Sequence, residues 1–422
     1  MFEREYQDCT IRSVGQPELK QAIDFTVARQ IVIATVRRLG PKPSAEDVPI
    51  AAARGRILAE PIAADRDYPA LDRSLRDGFA LRSTDAPGLF NVRGEVRAGE
   101  MTDESPLTAG IAIEIMTGAQ VPEGANAVVM VEHVDRIPTG TGEQIRVDRT
   151  LEPGQWINRR GSEALMGTLL IPAGRRLDSS HIATLAMVGY TAVRVTRRPS
   201  VAILATGDEL VEIGERPAAH QIRNSNSYAL AALVESSGAS PIILPIARDT
   251  PAALRGLLAQ GLEHDVLLVT GGVSAGKYDL VKPALRELGA SFEFEKVLIQ
   301  PGQPTAFGIA NNKPVFGLPG NPGSSMVTYR LFADPAIRLW AGETEPTLPL
   351  LMARFAAPFR HKPGLTRFLP AWLEPDGISV RHISWQGSSD VPALAKANAF
   401  LIADHDRESW DVGDLIRVMP KL

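Results

Sequence analysis

The sequence has a single cysteine, no long apolar run and no excess of basic charge. Cys9 is the only cysteine in 422 residues, which excludes an intrachain disulfide and a cysteine metal cluster. No apolar run reaches the roughly 18 residues expected of a membrane-spanning helix. Lys and Arg number 45 against 49 acidic residues, which disfavours a nucleic-acid binder that relies on overall charge. The charged, polar N-terminal residues do not resemble a signal peptide, so the expected compartment is the cytoplasm.

The apolar pattern divides the first half of the chain into stretches of different character. Residues 1–17 form an N-terminal extension without a clear pattern, and helical spacing then predicts a helix over 18–39. Short apolar runs at 110–115 and 127–131, separated by Gly, Pro and Thr, predict a mainly β segment. A further helix is predicted over 178–188.

Strands and helices alternate in the second half of the chain. Apolar runs predict strands at 201–205, 241–246, 265–270, 292–299 and 314–318, and helices at 226–237, 250–260, 279–288 and 321–340. This alternation predicts a doubly wound, mainly parallel α/β domain with helices on both faces of the sheet. After residue 342 the pattern is β-like to the end of the chain, so the fold class is multidomain α/β.

The turns that follow the predicted parallel strands carry glycines and carboxylates. In open α/β sheets, ligands bind beyond the carboxyl ends of the strands. Glu209, Asp249 and Asp279 are therefore expected to converge there as oxygen ligands for Mg²⁺ that bridges phosphate oxygens. Asn321 is expected to cap the following helix, whose free N–H groups would attract an anion.

These turns also have simpler interpretations, because Gly and Asp commonly end strands for structural reasons alone. Residues 271–277 fit the spacing of a phosphate-binding loop, but Tyr278 stands where Ser or Thr must ligate Mg²⁺. Residues 272–276 fit the G-x-S-x-G turn of a hydrolase. The candidate histidines for that chemistry lie in the C-terminal β-like segment, and no HGGG-type oxyanion segment precedes the turn: His361, His382 and His405. Both alternatives are disfavoured.

Several motifs taken together resemble one protein family. They are Asp77-Gly78-Phe79-Ala80, Ile115-Met116-Thr117-Gly118-Ala119, Asn158-Arg159-Arg160-Gly161, Thr206-Gly207-Asp208-Glu209-Leu210, Gly271-Gly272-Val273-Ser274 with Asp279, Gly317-Leu318-Pro319-Gly320-Asn321-Pro322, and Gly387-Ser388. In this order, and over nearly the whole chain from about residue 20, they resemble the molybdopterin molybdotransferase (molybdenumtransferase) family, to which the C-terminal domain of gephyrin also belongs.

The resemblance implies four domains that follow the N-terminal extension. They are a linking domain from residues 18–55 and 161–196, an inserted β domain over 56–160, a molybdopterin-binding α/β domain over 197–341, and a C-terminal β domain over 342–422. It also implies a homodimer, with the active-site cleft between the central domain of one chain and the inserted domain of the other. The implied reaction is Mg²⁺-dependent insertion of molybdate into adenylylated molybdopterin with release of AMP. Molybdoenzymes or carrier proteins are the implied protein partners, and neither nucleic acid nor a membrane is expected.

The resemblance also assigns functional positions. The catalytic positions are Asp77, Thr117, Glu209, Asp249, Asp279 and Lys296. The positions that bind the pterin nucleotide are Gly207, Asp208, Gly271, Gly272, Ser274, Gly276, Pro301, Gly320, Asn321 and Ser388. The chain departs from the family pattern where Gln300 and Gln303 replace frequent lysines, Arg76 replaces a common Met, and Pro370 replaces a frequent Arg.

Two other functions agree with part of the sequence. The adenylyltransferase of the preceding step has a domain that resembles the central one, but it is expected to carry Gly-Gly-Thr-Gly where this chain has Gly-Gly-Val-Ser at 271–274. The second is a catalytically weak paralogue that acts as a molybdopterin-binding carrier or scaffold. The loss of positive charge at Gln300 and Gln303 favours this second alternative.

Overall fold

The structure, a computed structural model, describes residues 22–101, 105–140, 142–273 and 280–421. Three residues with predicted site roles lie outside these ranges: Ser274, Gly276 and Asp279. The N-terminal extension with Cys9 also lies outside them. Within the described part of the chain, no helix is both long enough and apolar enough to cross a membrane.

Strands and helices alternate irregularly along the described chain. The strands are β1 (Ala45–Pro49), β2 (Ile62–Ala63), β3 (Arg73–Ser74), β4 (Gly78–Leu81), β5 (Gly88–Val96), β6 (Ile111–Ile115), β7 (Ala127–Met130), β8 (Asp135–Thr139), β9 (Gly142–Val147), β10 (Ile157–Asn158), β11 (Leu169–Ile171), β12 (Ala192–Thr196), β13 (Ser200–Ala205), β14 (Leu210–Val211), β15 (Ile222–Arg223), β16 (Ser240–Ile243), β17 (Val266–Thr270), β18 (Ser291–Phe294), β19 (Ile299–Gln300), β20 (Ala306–Ala310), β21 (Lys313–Leu318), β22 (Leu351–Phe355), β23 (Phe359–Arg360), β24 (Thr366–Leu373), β25 (Ser379–His382), β26 (Ala399–Ala403), β27 (Ser409–Trp410) and β28 (Leu415–Pro420). The helices are α1 (Phe25–Leu39), α2 (Ser179–Met187), α3 (Ser225–Ser236), α4 (Pro251–Gly261), α5 (Val281–Glu287), α6 (Pro322–Thr328), α7 (Asp334–Trp340) and α8 (Val391–Lys396).

Helix α1 packs against the central domain and shares its core. A helix is predicted from residue 18, but residues 22–24 are not helical. Asp24 accepts a hydrogen bond from Thr26 N at 2.7 Å and caps the helix, which begins at Phe25. Gly40 ends the helix in the left-handed region, at φ 59°. Phe25 and Val32 are buried in the same apolar cluster as the central sheet.

The linking domain is small and mixed in structure. Two antiparallel pairs, β1 with β12 and β2 with β11, share an apolar core with helix α2. Helix α2 confirms the helix predicted over 178–188. The core includes Leu58, Ile62 and Tyr68, which come from chain that the sequence analysis assigned to the inserted β domain.

The inserted β domain is one six-stranded sheet with the strand order β7-β4-β6-β5-β9-β8. Strands β6 and β7 confirm the β segments predicted at 110–115 and 127–131. Both faces of the sheet are covered, because Phe79 and Leu81 belong to one buried cluster and Ala80 to another. Strands β3 and β10 pair with each other where the chain enters and leaves this domain.

The central domain confirms the predicted mainly parallel sheet. Its strand order is β16-β13-β17-β21-β20-β18. The first four strands are parallel to one another, and β20 pairs antiparallel with both β21 and β18. Helices α3, α4 and α5 lie where helices are predicted. Strand β20 is not predicted, and the predicted strand at 292–299 splits, because β19 joins a different sheet.

The helix predicted over 321–340 forms three consecutive segments. Helices α6 and α7 flank a π-helical turn, Tyr329–Ala333. In this turn the fully buried Tyr329 contacts Ser237, with 2.8 Å between their hydroxyl oxygens, and Ser237 donates to Asp334 Oδ1 at 2.6 Å. The π-helical turn thus places the buried Tyr329 hydroxyl within hydrogen-bond distance of Ser237.

The C-terminal β domain is a closed barrel, in which β24, β25, β22, β28 and β26 follow one another and β26 pairs back onto β24. Strand β19, which belongs by sequence to the central domain, extends this sheet beside β24. The loop that follows β19 is therefore fixed to the barrel.

A buried ion cluster connects the linking domain to the end of the central domain. Glu343 Oε2 accepts hydrogen bonds from Arg176 Nη2 at 3.0 Å and from Arg338 Nε at 2.9 Å. Burial by itself raises the pKa of Glu343, but hydrogen bonds from Arg338 and the charges of both arginines outweigh it and lower the pKa. The carboxylate is thus stabilised in its charged form.

Replacing Glu343 by Ala should lower the free energy of unfolding by about 3 kcal/mol, because Arg176 loses its carboxylate partner and Arg338 keeps only Asp334, at 3.6 Å, in the described part of the chain. Urea unfolding at neutral pH measures the change. Glu287→Ala is the control, since Glu287 pairs with Arg255 at the exposed surface and its loss should cost at most about 1 kcal/mol. Because the folded-state pKa of Glu343 is lowered, the wild-type advantage should shrink as the pH falls through that pKa. Equal losses in the two variants at neutral pH would contradict the prediction.

Candidate active site

A cavity of about 550 Å³ lies at the carboxyl ends of β13, β17 and β21. The sequence-predicted residues among its lining are Gly207, Glu209, Asp249, Gly271, Gly272, Gly320 and Asn321. The prediction that these turns meet at one sheet edge is therefore confirmed for the residues that the structure describes.

Glycine is favoured at two of these turns by the backbone. Gly207 has a φ of 151°, which side-chain-bearing residues rarely adopt. A Cβ added to Gly271 would lie 2.5 Å from the backbone atom Thr206 O. Gly271 also has a φ of 93°, which side-chain-bearing residues rarely adopt. The exposed backbone of such turns can approach phosphate oxygens closely.

Three carboxylates gather at one side of the cavity. Asp249 N donates a hydrogen bond to Asp208 Oδ1 at 3.2 Å, which holds the turns after β13 and β16 together. Burial raises the pKa of Asp249, and repulsion from Asp208 and Glu209 raises it further. This edge of the sheet therefore carries negative charge that a cation would stabilise.

Carboxylate oxygens are the ligands that Mg²⁺ prefers, so Glu209 and Asp249 fit that ion by their chemistry. In the described ranges, no group of three His, Cys, Asp or Glu residues is placed to hold a metal ion. Mg²⁺ commonly completes its coordination with water and substrate phosphate oxygens, so two protein carboxylates suffice for such a site. The predicted third ligand, Asp279, lies outside the described residues.

Two buried polar atoms beside the cavity, Thr206 Oγ1 and Asn226 Oδ1, have no hydrogen-bond partner among the residues that the structure describes. Asn226 Nδ2 donates to Thr270 Oγ1 at 2.9 Å and to Gly320 O at 2.6 Å, which leaves its Oδ1 as an acceptor. Sequence reasoning missed both residues. The only signal was the polar Asn224-Ser225-Asn226 at the start of α3, which is typical of a helix cap.

Helix α6 begins at Pro322, and the N-cap position before it is occupied, as predicted, by Asn321. Its side chain makes no capping bond, and Asn321 Nδ2 instead donates to Ser388 Oγ at 2.8 Å. Gly323 N donates to Ser388 O at 2.7 Å, so this N–H is not available to an anion. The barrel thus brings Ser388, another predicted site residue, to the rim of the cavity.

Asp77 and Thr117 meet on the surface of the inserted β domain. Asp77 Oδ1 accepts hydrogen bonds from Thr117 N at 2.7 Å and Thr117 Oγ1 at 2.9 Å, and these bonds lower the pKa of Asp77. Two backbone bonds, Ser74 N to Ala119 O and Gly118 N to Ser74 O, fix the two turns to each other. Neither Asp77 nor Thr117 is among the described residues that line the cavity.

The loop around β19 approaches the cavity through Pro304. Gln303 precedes this residue, and its carbonyl accepts a hydrogen bond from Val297 N at 2.9 Å. The predicted site residue Pro301 is buried in this loop, after a cis peptide bond. Lys296 has an exposed side chain and is not among the described lining residues.

Three family models match consecutive parts of the chain. They are described as "MoeA N-terminal region (domain I and II)" over residues 23–189, "Probable molybdopterin binding domain" over 202–339, and "MoeA C-terminal region (domain IV)" over 352–421.

Relatives and solved structures agree with these matches. The chain is 34% identical to the molybdopterin molybdenumtransferase of Bacillus subtilis over 86% of its own length and 87% of that protein. It is 36% identical to the protein of that name from a Nostoc species, over 74% and 73%. The crystal structure of the molybdopterin biosynthesis MoeA protein of Pyrococcus horikoshii is 31% identical in sequence to this chain, with a TM-score of 0.71 and coverage of 95% of this chain and 99% of that one. Another crystal structure from that organism is 28% identical with a TM-score of 0.77, and covers 95% and 100%.

Proposed function

Because the chain belongs to the molybdopterin molybdenumtransferase family, a family of transferases in molybdenum cofactor biosynthesis, we propose that it inserts molybdate into adenylylated molybdopterin and releases AMP with the help of Mg²⁺. The observation that carries this proposal is the cavity beyond β13, β17 and β21. It combines glycine turns with the carboxylates of Glu209 and Asp249.

The chemistry of the cavity suits a pyrophosphate linkage. The turns at Gly207 and Gly271 let backbone groups approach the phosphate oxygens. Glu209 and Asp249 would hold Mg²⁺, which when bound neutralises charge on the phosphate oxygens. In the proposed reaction water cleaves the phosphoanhydride bond, and AMP leaves with the new phosphate oxygen. The two dithiolene sulfurs of the pterin replace two oxygens of molybdate, which take up the two thiol protons and two protons from the solvent and leave as water.

A homodimer is part of the proposal. Asp77 and Thr117 do not line the cavity, so a second chain is needed to bring such a pair to it. The linking domain also exposes large apolar side chains that a dimer interface would cover: Leu165, Met166, Leu169 and Met187. Molybdoenzymes or carrier proteins would receive the product, and the single cysteine agrees with a cytoplasmic site of action.

The test is to incubate the protein with adenylylated molybdopterin, Mg²⁺ and molybdate and to follow AMP release. We expect release that needs both ions, and omission of each ion in turn is the control. A second candidate function is a carrier or scaffold, favoured by the neutral Gln300 and Gln303. Tight binding of the pterin nucleotide without AMP release would support the carrier and refute the transferase.

Gln300, at the end of β19, and Gln303, in the loop that follows, carry no charge, and this predicts weak use of molybdate. A charge-assisted hydrogen bond is about twice as strong as a neutral one, and losing one such contact costs on the order of 1–2 kcal/mol. Replacing Gln300 and Gln303 together by Lys should therefore lower the half-saturating molybdate concentration by about ten-fold. Binding of the adenylylated pterin should change little. No gain in the lysine variant, with saturation of the wild type at micromolar molybdate, would contradict this account.

A further inference from the structure

An exposed arginine next to the Asp77–Thr117 pair, Arg76, is held in place by contacts that leave its charge unpaired in the described part of the chain. The guanidinium carbon of Arg76 lies 4.8 Å from the centre of the Trp156 ring, a cation–π contact. Its backbone is fixed by Ser74, whose Oγ donates to Arg76 O at 2.5 Å and accepts from Arg76 N at 3.2 Å. In the described ranges, no carboxylate lies within ion-pair distance of Arg76. The guanidinium is thus positioned, charged and available to an anion.

The ring beneath Arg76 is held in an unusual backbone conformation. Trp156 has a φ of 54°, in the left-handed region that large side chains rarely adopt. Two neighbouring hydrogen bonds maintain it, from Leu75 N to Trp156 O at 2.8 Å and from Val128 N to Gln155 O at 3.0 Å. Strain of this kind persists where the surrounding structure enforces it, and it clusters at functional sites.

The charges around Arg76 favour an anion. Arg73 and Arg159 are both exposed, and in the described chain neither has a carboxylate partner. Strand pairing places Arg73 opposite Asn158, the residue before Arg159. The nearby Arg160 pairs with Asp67 at 2.8 Å. Two carboxylates nearby, Asp72 and Asp77, accept hydrogen bonds from Arg160 N and from Thr117 and keep their negative charge. The three arginines Arg73, Arg76 and Arg159 outnumber them, so the net charge around Arg76 is positive. Arg76 is the member of this group that adjoins the Asp77–Thr117 pair directly.

We propose that Arg76 binds the molybdate oxyanion and supplies the positive charge that Gln300 and Gln303 lack on the central domain. This inference rests on the proposed function. A guanidinium presents planar N–H donors that match two oxygens of a tetrahedral oxyanion. The phosphates of the pterin nucleotide have the same chemistry, so the experiment must separate molybdate from phosphate.

The test compares Arg76→Met with Arg146→Met, which removes an exposed arginine from β9 of the same domain. The first measurement is equilibrium binding of molybdate to the protein alone, without pterin. The second is the KM for molybdate and the KM for adenylylated molybdopterin in AMP release. Arg76→Met should weaken molybdate binding and raise its KM by about ten-fold, with the KM for the pterin nucleotide unchanged. Arg76→Lys should retain part of the affinity, and Arg146→Met all of it.

The outcomes separate this inference from the proposed function. Arg76-dependent molybdate binding without AMP release would leave the anion site in place and refute the transferase reaction. A raised KM for the pterin nucleotide alone would assign Arg76 to phosphate and overturn the molybdate assignment. Equal behaviour of Arg76→Met and Arg146→Met, with both variants unfolding at the wild-type temperature, would overturn the anion site itself. Gln303→Lys added to Arg76→Met should restore molybdate use if both positions serve one anion.

Discussion

Replacing Asp249 by Asn should slow AMP release by at least about 100-fold, the usual effect of removing one group that stabilises transition-state charge. Asn keeps the shape of the side chain but removes the charge that would hold Mg²⁺ beside Glu209. Asp249 is suited to this role because it already lies against Asp208 and Glu209, so its charge is costly without a cation. Single-turnover AMP release at saturating Mg²⁺ measures the effect.

The control for this variant is Glu263→Gln, which removes an exposed carboxylate of the same domain far from the cavity lining. It should release AMP at the wild-type rate. The Asp249→Asn variant should also need more Mg²⁺ for half-maximal rate. If it reaches the full rate at an unchanged Mg²⁺ concentration, Asp249 is not a metal ligand.

Mixing two inactive variants should restore activity if each site draws on two chains. Asp77→Ala removes the acceptor that holds Thr117, and Asp249→Asn removes a carboxylate of the cavity. A purified heterodimer of the two should contain one site with both defects and one without any. It should therefore show about half of the wild-type specific activity, whereas each mutant homodimer shows almost none.

The matched control is a heterodimer in which one chain carries both substitutions and the other is wild type. In the shared-site arrangement it has one defect at each site and should be nearly inactive. If each site belonged to one chain, this control would keep about half of the activity and the first heterodimer would have none. The two arrangements thus predict opposite results from the same pair of proteins.

The sequence predicts those parts of the fold in which a local pattern decides the structure. The strands β13, β17 and β21 are mainly apolar runs with both faces covered. The turns after β13 and β17 contain Gly207 and Gly271, whose φ values of 151° and 93° favour glycine. The carboxyl ends of the three strands meet by the geometry of a parallel sheet, so the predicted gathering of Glu209, Asp249 and the glycine turns needed no further information. The family motifs added Asp77 and Thr117 as separate site residues, and the structure shows that they form hydrogen bonds with each other.

The remaining parts depend on contacts between residues far apart in the chain. Local sequence rules predict that the Asn321 side chain caps α6, but its amide Nδ2 donates a hydrogen bond to Ser388 of the C-terminal β domain. The π-helical turn at 329–333 accompanies the contact between the hydroxyls of the buried Tyr329 and Ser237. No local sequence pattern predicts this contact. Closure of the barrel by β24 and β26, and the transfer of β19 to that sheet, likewise depend on long-range pairing.

The pairing of β3 with β10 has a consequence for how the family can diversify. Asn158 lies opposite Arg73, so both ends of the inserted β domain leave the linking domain at one point. A domain attached in this way can be removed or replaced with little effect on the linking domain, since the two chain ends that it leaves behind lie close together. Recombination could therefore exchange the whole domain as a cassette that carries Arg76, Asp77 and Thr117 together. The residues proposed to bind the anion would then be inherited together with the inserted β domain, and separately from the central-domain cavity proposed to bind the nucleotide.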